Sequence, residues 1–216
     1  TLNLGERSGD DPARVAANRV QLAQYLPGEP GWLRQVHSVR AVELGREPNP
    51  EADASFTRDP GQVCAVLTAD CLPVLFCDRA GSVVAAAHAG WRGLAGGVLE
   101  ATVAAMRVPP GEILAWLGAA IGPQAFEVGD EVRQAFVNRH PEAVAAFVPQ
   151  SVPEKWLADI FQLARIHLNA VGVQAVYGGG RCTFSEADSF YSYRRDGVTG
   201  RMASLIWLEQ AVRNLP

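Results

Sequence analysis

Three short apolar runs in the first half of the chain predict strands followed by a helix. Val63–Thr68 is largely apolar and partly β-branched, and residues 74–77 and 83–87 form two further apolar runs. Runs of this length are typical of buried strands. Pro73 predicts a break between the first two, because proline cannot donate to a central ladder. The Ala-, Leu- and Val-rich segment at about 94–106 predicts the helix.

Reactive side chains lie at the ends of these runs. Cys71 follows the first predicted strand, and His88 follows the third. The alternating segment 32–37 predicts another half-buried strand, which ends at His37. Side chains at strand ends can converge in a cleft without disturbing the core, so the pattern indicates a candidate site of one thiol and two imidazoles.

The rest of the chain predicts helices and strands in similar number without strict alternation. Predicted helices cover residues 13–25, 129–139 and 155–171, and predicted strands cover 39–44, 113–117, 173–177 and 202–208. Several strands between residues 63 and 88 follow one another with no helix between them. A mixed α/β sandwich is therefore favoured over a doubly wound parallel sheet. The 216 residues contain no repeat or linker-like segment, which predicts one domain over residues 1–216.

Charge and hydropathy argue against two classes of partner. The chain has 19 basic and 23 acidic side chains, a formal net charge of -4, and no run of Lys or Arg, so we expect no nucleic-acid partner. Its apolar runs end well short of the roughly 20 residues that a membrane span needs. The first residues lack the pattern of a secretory signal, so a cytoplasmic protein is expected.

The candidate chemistry centres on the strand-end residues. Four cysteines, Cys64, Cys71, Cys77 and Cys182, are too few for a disulfide scaffold, so reduced thiols are expected. Cys71 together with His37 and His88 would hold zinc and leave it one open position. Two alternatives remain open: Cys71 is a nucleophile paired with a histidine, or the three residues only pack.

Two further features accompany this set. Gly90 and Gly93 flank Trp91 and Arg92 ahead of the predicted helix, where free N–H groups and a guanidinium would favour an anion such as phosphate. An exposed arginine in a turn is the alternative. Asp70, beside Cys71, could orient a ligand or act as a base, or could cap a turn.

Five separated motifs resemble the bacterial YfiH family, which was first labelled polyphenol oxidase or multicopper laccase. They are QVH at 35–37, TADCLP at 68–73, HAGWRG at 88–93, GAAIGP at 118–123 and SYRRD at 192–196. They occur in the expected order across essentially the whole chain, which makes the resemblance specific. It implies a four-layer α/β/β/α sandwich, and a zinc site made of His37, Cys71 and His88.

The resemblance also implies an enzyme of purine nucleoside chemistry. The implied activities are phosphorolysis of adenosine, inosine, guanosine or methylthioadenosine, and deamination of adenosine. Purine nucleosides and phosphate are therefore the expected small-molecule partners. Asn3 and Arg19 match family positions near the substrate pocket.

Catalytic roles can be assigned on this basis as expectations. Cys71 and His88 would act at the metal, and Asp70 would carry the proton in deamination, as a carboxylate does in other zinc deaminases. Arg92 and Arg19 would hold phosphate while the ribose develops positive charge.

Three alternatives to this function stay open. Copper-dependent phenol oxidation is disfavoured, because multicopper oxidases need many histidines and the chain has four. A Cys71/His88 hydrolase or amidase acting on cell-wall peptide precursors is the second, and a non-enzymatic binding module is the third. A monomer and a homodimer are equally compatible with the sequence.

Overall fold

The computed structural model describes residues 2–209, which form three β-sheets and six α-helices. The strands are β1 (Pro30–Gly31), β2 (Ala41–Glu43), β3 (Ala54–Thr57), β4 (Val63–Thr68), β5 (Leu72–Asp78), β6 (Val84–Ala89), β7 (Ile113–Leu117), β8 (Glu127–Gly129), β9 (Phe147–Pro149), β10 (Lys155–Ala158), β11 (Ala175–Gly178) and β12 (Met202–Trp207). The α-helices are α1 (Pro12–Ala23), α2 (Trp91–Gly96), α3 (Val98–Met106), α4 (Asp130–Val137), α5 (Ile160–Ala170) and α6 (Tyr193–Asp196). Short 3-10 helices cover Pro110–Glu112 and Pro141–Ala146.

The largest sheet has six strands in the order β11-β7-β5-β6-β3-β2. Its central pairs, β7–β5, β5–β6 and β6–β3, are antiparallel, whereas the edge pairs β11–β7 and β2–β3 are parallel. The two smaller sheets have the orders β1-β4-β12 and β8-β10-β9. This mixture of parallel and antiparallel strands with helices confirms the predicted mixed α/β class.

Strand β6 explains how the layers stack. Val84 and Ala86 cluster with residues of β4, whereas Ala85 and Ala87 belong to the main core that α3 and α5 cover. Because successive side chains of a strand point to opposite faces, one face of the large sheet packs on the β1-β4-β12 sheet and the other packs on helices. His88 is in phase with Val84 and Ala86, so it faces the space between the two sheets.

These contacts establish three layers, and the fourth layer of the expected sandwich stays a prediction. The same holds for a single domain over residues 1–216, since residue 1 and residues 210–216 lie outside the described part. The predicted strands at 63–68, 113–117, 173–177 and 202–208 and the predicted helices at 13–25 and 129–139 are confirmed within a few residues. None of the helices within residues 2–209 has the length and hydropathy needed to cross a bilayer.

The strand predicted at 32–37 is wrong, because a side chain replaces strand pairing there. The Gln35 amide donates to the Leu67 carbonyl oxygen and accepts from the Leu67 N–H, each at 2.8 Å. Meanwhile the Arg34 N–H donates to the Pro50 carbonyl oxygen at 2.9 Å. The alternating pattern thus belongs to an irregular segment that lies along the end of β4.

Two predicted helices begin differently from what their apolar spacing indicates. Residues 155–158 form strand β10 between β8 and β9, and α5 starts only after Asp159. The Asp159 carboxylate accepts from the N–H groups of Phe161 and Gln162, which is the usual N-cap arrangement. The helix predicted at about 94–106 starts earlier, at α2, and is interrupted at Gly97, whose φ of 105° ends α2 before α3 begins.

The predicted break between the first two strands is confirmed at residues 69–71, but it ends before Pro73. Pro73 is the second residue of β5, where it pairs with His88. Its carbonyl oxygen accepts from the Gly118 N–H at 2.9 Å, so the proline keeps one ladder bond while it lacks a donor. This register places the loop residue Cys71 beside the end of β6.

Candidate metal centre

Three side chains that are far apart in the sequence meet between the end of β4 and the end of β6. His37, Cys71 and His88 each offer one ligand atom, and these atoms lie within 4.8 Å of one another. Cys71 Sγ is 3.7 Å from His37 Nε2, and the two imidazole ring centroids are 4.8 Å apart. The structure thus brings together the residues that the sequence singled out, while their role as metal ligands stays a prediction.

Asp53, which the sequence analysis missed, holds both histidines. It is fully buried immediately before β3, and its Oδ1 lies 2.8 Å from Nδ1 of His88. The same oxygen accepts from the backbone N–H of His37 at 3.0 Å, and Oδ2 accepts from the Ser38 N–H and hydroxyl at 2.6 and 2.8 Å. A carboxylate behind a ligating histidine fixes the ring orientation and leaves its other nitrogen for the metal.

The His37 backbone is bent by this carboxylate. His37 has a φ of 62°, which L-residues adopt only when their surroundings impose it. Three successive N–H groups, those of Val36, His37 and Ser38, point at Asp53. The bend therefore directs the His37 ring toward Cys71 instead of continuing an extended chain.

The electrostatics of the metal-free site favour a thiolate beside an imidazolium. Burial would raise the pKa of Cys71, but the charge of His88 and hydrogen bonds from both histidines outweigh it and lower the pKa to about 6. Burial would lower the pKa of His88, but the Cys71 thiolate and Asp53 raise it to about 9. For Asp53 burial is likewise outweighed, by hydrogen bonds from His88 and Ser38, which lower its pKa to about 2.

Gly90 leaves the space in which the ligand atoms meet. A Cβ atom at this position would lie 2.6 Å from His37 Cδ2, 3.0 Å from Cys71 Sγ and 3.1 Å from His37 Nε2. Any larger residue would therefore displace two of the three candidate ligands. The donor set, the carboxylate behind His88 and this side-chain-free approach all fit a divalent ion of the zinc type.

The three residues line a cavity of about 510 Å³. Its wall also contains the four arginines Arg7, Arg19, Arg34 and Arg201, and Trp32. Trp32 contributes an aromatic surface, and the guanidinium of Arg19 lies 4.3 Å from the centre of its ring. A cavity of this size, with one aromatic wall and several cations, suits a planar ligand that carries or accompanies an anion.

The four arginines differ in the number of hydrogen bonds and ion pairs that their side chains already make with the protein. Arg19 donates to Glu6 at 2.6 Å and to the Leu4 carbonyl oxygen at 3.0 Å, and Arg34 is paired with Glu51. Arg201 donates to two nearby backbone carbonyl oxygens. The structure records neither an ion pair nor a hydrogen bond for the Arg7 side chain among residues 2–209, so its guanidinium is available to a ligand.

Three of the predicted site residues do not line the cavity. Arg92 is exposed and lies over the Trp91 ring, 4.4 Å from its centre. Asn3 is buried, and its amide is fully used: it donates to Ser8 and Asp10 and accepts from the N–H groups of Gly5 and Arg201. Asn3 thus supports the loop that carries Arg7 instead of facing the cavity.

Asp70 is the third of these residues. Its φ is 86°, and its two carboxylate oxygens accept from the Thr183 hydroxyl at 2.6 Å and from the Arg194 N–H at 2.7 Å. Its carbonyl oxygen accepts from the Ile121 N–H at 2.9 Å. Asp70 therefore fixes the turn that presents Cys71, and its role as a proton carrier stays a prediction.

All four cysteines lie within the described residues and are free thiols, as predicted. Cys64 is fully buried between the sheets, and burial raises its pKa to about 12. Burial also raises the pKa of Cys77. Burial would raise the pKa of Cys182, but hydrogen bonds from Ser185 and from the Gly122 N–H lower it. Cys182 does not line the cavity, so Cys71 is the thiol placed there for ligation or nucleophilic chemistry.

The comparisons with known proteins identify the family of this chain. Residues 1–209 match the family described as multi-copper polyphenol oxidoreductase laccase. The chain belongs to this laccase-domain (YfiH) family. Among curated members, it is 59% identical to "Purine nucleoside phosphorylase PA4543" of Pseudomonas aeruginosa, over 97% of this chain and 86% of that protein. It is 58% identical to "Purine nucleoside phosphorylase YfiH" of Escherichia coli, over 96% of this chain and 86% of that protein.

Solved structures of the laccase-domain family have the same fold. Protein NMB0706 of Neisseria meningitidis superimposes with a TM-score of 0.92 at 55% identity, over 97% of this chain and 87% of that chain. YlmD of Geobacillus stearothermophilus does so with a TM-score of 0.89 at 30% identity, over 97% and 86%. The family is metal-associated by its description, and residues 2–209 of this chain contain two groups of side chains that could hold an ion.

Proposed function

We propose that this protein is a zinc-dependent purine nucleoside phosphorylase that also deaminates adenosine. The observation that carries the proposal is the convergence of two imidazoles and a thiol in the wall of an arginine-rich cavity. Two relatives that are 58% and 59% identical bear the name purine nucleoside phosphorylase, which supports the same reaction here. Adenosine, inosine, guanosine and methylthioadenosine are the proposed substrates.

Zinc is the proposed metal because two imidazoles and one thiolate are typical of zinc sites that keep an open position. When bound, zinc would polarise a substrate oxygen or lower the pKa of a water molecule. Copper fits less well: four histidines in the whole chain cannot supply the type 1 and trinuclear centres of a multicopper oxidase, whatever the family description says.

The residues of the chain account for substrate binding in this scheme. Trp32 offers an aromatic face to the purine base, and the Arg19 guanidinium lies over the same ring, 4.3 Å from its centre. Arg7 would bind the phosphate oxyanion as the ribose develops positive charge and the glycosidic bond breaks. This assignment replaces Arg92, which lies outside the cavity wall, by Arg7 and keeps Arg19.

Asp53 contributes to the proposed reaction through position. It keeps Nδ1 of His88 engaged, so the ring presents Nε2 toward the cavity in a fixed orientation. It also fixes the backbone from which His37 projects. Asp70 remains the predicted proton carrier for deamination, although its oxygens bind Thr183 and the Arg194 N–H in this structure.

The direct test is incubation of the purified protein with adenosine, with and without phosphate, followed by chromatography of the products. Adenine and ribose 1-phosphate mark phosphorolysis, and inosine marks deamination. We expect Cys71→Ala to abolish both reactions and Cys77→Ala to leave them intact, because Cys77 lies outside the cavity wall. Turnover that survives Cys71→Ala would contradict the proposal and point to a contaminant.

A cysteine hydrolase is a second candidate, favoured by the depressed Cys71 pKa and by the Cys71, His88 and Asp53 arrangement, which resembles a nucleophile, base and orienting carboxylate. The two functions respond differently to metal removal. Chelation should abolish nucleoside turnover by a zinc enzyme, and added zinc should restore it. A hydrolase would keep its activity in chelator and lose it on alkylation of Cys71.

A further inference from the structure

A second cluster of metal-binding side chains lies among the helices that cover the large sheet. It consists of Glu100 in α3, His167 in α5 and His140 in the turn after α4. Each of the three residues offers one ligand atom, and these atoms lie within 4.8 Å of one another. None of the three lines the cavity described above.

One internal contact of the cluster fixes the tautomer of His167. Nδ1 of His167 lies 2.8 Å from Glu100 Oε1, which places the ring proton on Nδ1 and leaves a lone pair on Nε2. Nδ1 of His140 lies 3.8 Å from Glu142 Oε1, on the outer side of the cluster. The two imidazole rings meet edge to face, with centroids 4.5 Å apart.

Three buried atoms of this cluster have no hydrogen-bond partner within residues 2–209. They are Glu100 Oε2, His140 Nε2 and His167 Nε2. The His167 side chain is fully buried, and those of His140 and Glu100 are only 15% and 16% exposed. Glu100 Oε2 is an acceptor, and so is His167 Nε2 with the ring proton on Nδ1; His140 Nε2 is a third acceptor in the tautomer that carries its proton on Nδ1 beside Glu142. Leaving buried acceptors unpaired costs about 1–3 kcal/mol each.

We propose that Glu100, His140 and His167 form a second binding site for a divalent transition-metal ion, separate from the centre at Cys71. Two imidazoles and one carboxylate are a donor set that binds zinc, cobalt, nickel or iron(II) in proteins. A cation is the ligand that three convergent acceptors without a donor can share. This inference does not depend on the proposed nucleoside activity.

Arg139 limits the strength of this site. Its Nη2 lies 3.0 Å from Glu100 Oε1, so a positive charge stands beside the cluster and shares the carboxylate. Glu100 Oε2 nevertheless stays free. We therefore expect weaker binding than at the Cys71 centre, and Arg139→Gln should tighten the second site by roughly three- to fivefold, because it removes one repelling charge close to the ion.

The test is titration of the chelator-stripped full-length protein with Co²⁺, followed by near-ultraviolet and visible absorption. We expect two equivalents to bind. The tighter equivalent should show thiolate-to-cobalt charge transfer from Cys71, and the weaker one should show only the ligand-field bands of nitrogen and oxygen donors.

Variants assign the second equivalent to its ligands. His140→Ala should abolish it and leave the thiolate-bearing equivalent, which also reports that the variant is folded. Glu142→Gln, which alters a neighbour of His140 outside the cluster, should bind two equivalents. A single equivalent in the wild type that carries the thiolate charge-transfer band, or a nitrogen- and oxygen-ligated equivalent that persists in both His140→Ala and His167→Gln, would overturn the proposal. A single equivalent without the thiolate band, lost in His140→Ala, would support the second site and count against the Cys71 centre alone.

Discussion

Replacing Gly90 by alanine tests whether His37 and Cys71 act together on one ion. The new Cβ atom would lie 2.6 Å from His37 Cδ2 and 3.0 Å from Cys71 Sγ. Gly90 has φ -65° and ψ 157°, an extended backbone that alanine adopts freely. The substitution therefore strains no dihedral angle, and its effect must come from displacing the two candidate ligands.

The size of the effect of Gly90→Ala depends on how far His37 and Cys71 can move away from the new methyl group. Forcing an extra methyl group into filled space typically costs about 1–3 kcal/mol. His37 is exposed on one side, so its ring can turn outward and relieve the overlap with little loss of folding free energy. To bind zinc, the ring must return to its original position, so the cost of about 1–3 kcal/mol is subtracted from the binding free energy. At about 1.4 kcal/mol per factor of ten, the zinc affinity should fall by roughly 5- to 150-fold.

Zinc affinity can be measured by competition with a chromophoric chelator, and folding by thermal denaturation of the metal-free protein. Gly111→Ala is the matched control, because a Cβ atom at Gly111 meets no atom within 4 Å. We expect Gly90→Ala to lose affinity while its metal-free melting temperature stays close to that of the control. A Gly90→Ala protein that binds zinc as tightly as the wild type would refute the reasoning.

Three further predictions follow from the charges of the site. In the metal-free protein the ion pair between Cys71 and His88 contributes stability, which is lost as pH falls through the Cys71 pKa of about 6 and as pH rises through the His88 pKa of about 9. The thiolate absorbance that Cys71→Ser removes should therefore titrate near pH 6. A midpoint near pH 9 would contradict this. Arg7→Gln should raise the KM for phosphate by roughly tenfold or more with little change in kcat, because it removes a charge-assisted hydrogen bond to phosphate. The control Arg14→Gln, on the exposed face of α1, should leave this KM unchanged. Equal KM values for the two variants in steady-state assays would exclude Arg7 as the phosphate-binding residue. Asp70→Asn should lower the melting temperature by several degrees, at about 1–3 kcal/mol for the weakened buried hydrogen bonds and roughly 2–4 °C per kcal/mol. As the proposed proton carrier, Asp70 should also account for one limb of the pH profile of deamination, and an unchanged profile in Asp70→Asn would refute that role.

The pattern of apolar residues was sufficient to predict those strands whose side-chain burial follows that pattern. Val63–Thr68 is an apolar run that forms a buried strand, as predicted. Ile113–Leu117 also forms the predicted strand, but only one of its faces is buried, since Trp116 is 48% exposed. The three residues now seen together at the candidate centre could also be singled out, because Cys71 and His88 lie at the ends of such runs. His37 was singled out for a wrong reason, since the segment before it is not a strand.

What could not be predicted depends on partners that are distant in the sequence. Gln35 takes the place of strand pairing only because Leu67 lies opposite it. Residues 155–158 have helical apolar spacing, yet they pair with β8 and β9 because the neighbouring strands offer open backbone groups. Neighbouring glycines suggested an anion site at Arg92, whereas no local pattern marks Arg7, whose loop is fixed by contacts of Asn3.

Asp53 had one signal that was not used. It lies between Ala52 and Ala54, and all three residues are fully buried. A lone carboxylate between small apolar residues at the start of a strand must find several donors, since burying it without them is costly. Its donors, at positions 36–38 and 88, become visible only in three dimensions.

The shared attachment of two imidazoles to Asp53 has a consequence for engineering. One carboxylate sets the direction of His88 through its ring and the direction of His37 through its backbone, so the two rings cannot be tuned independently. A redesign of the centre for another metal would have to begin behind the ligands, at Asp53, and its effects on the two histidines would be strongly non-additive.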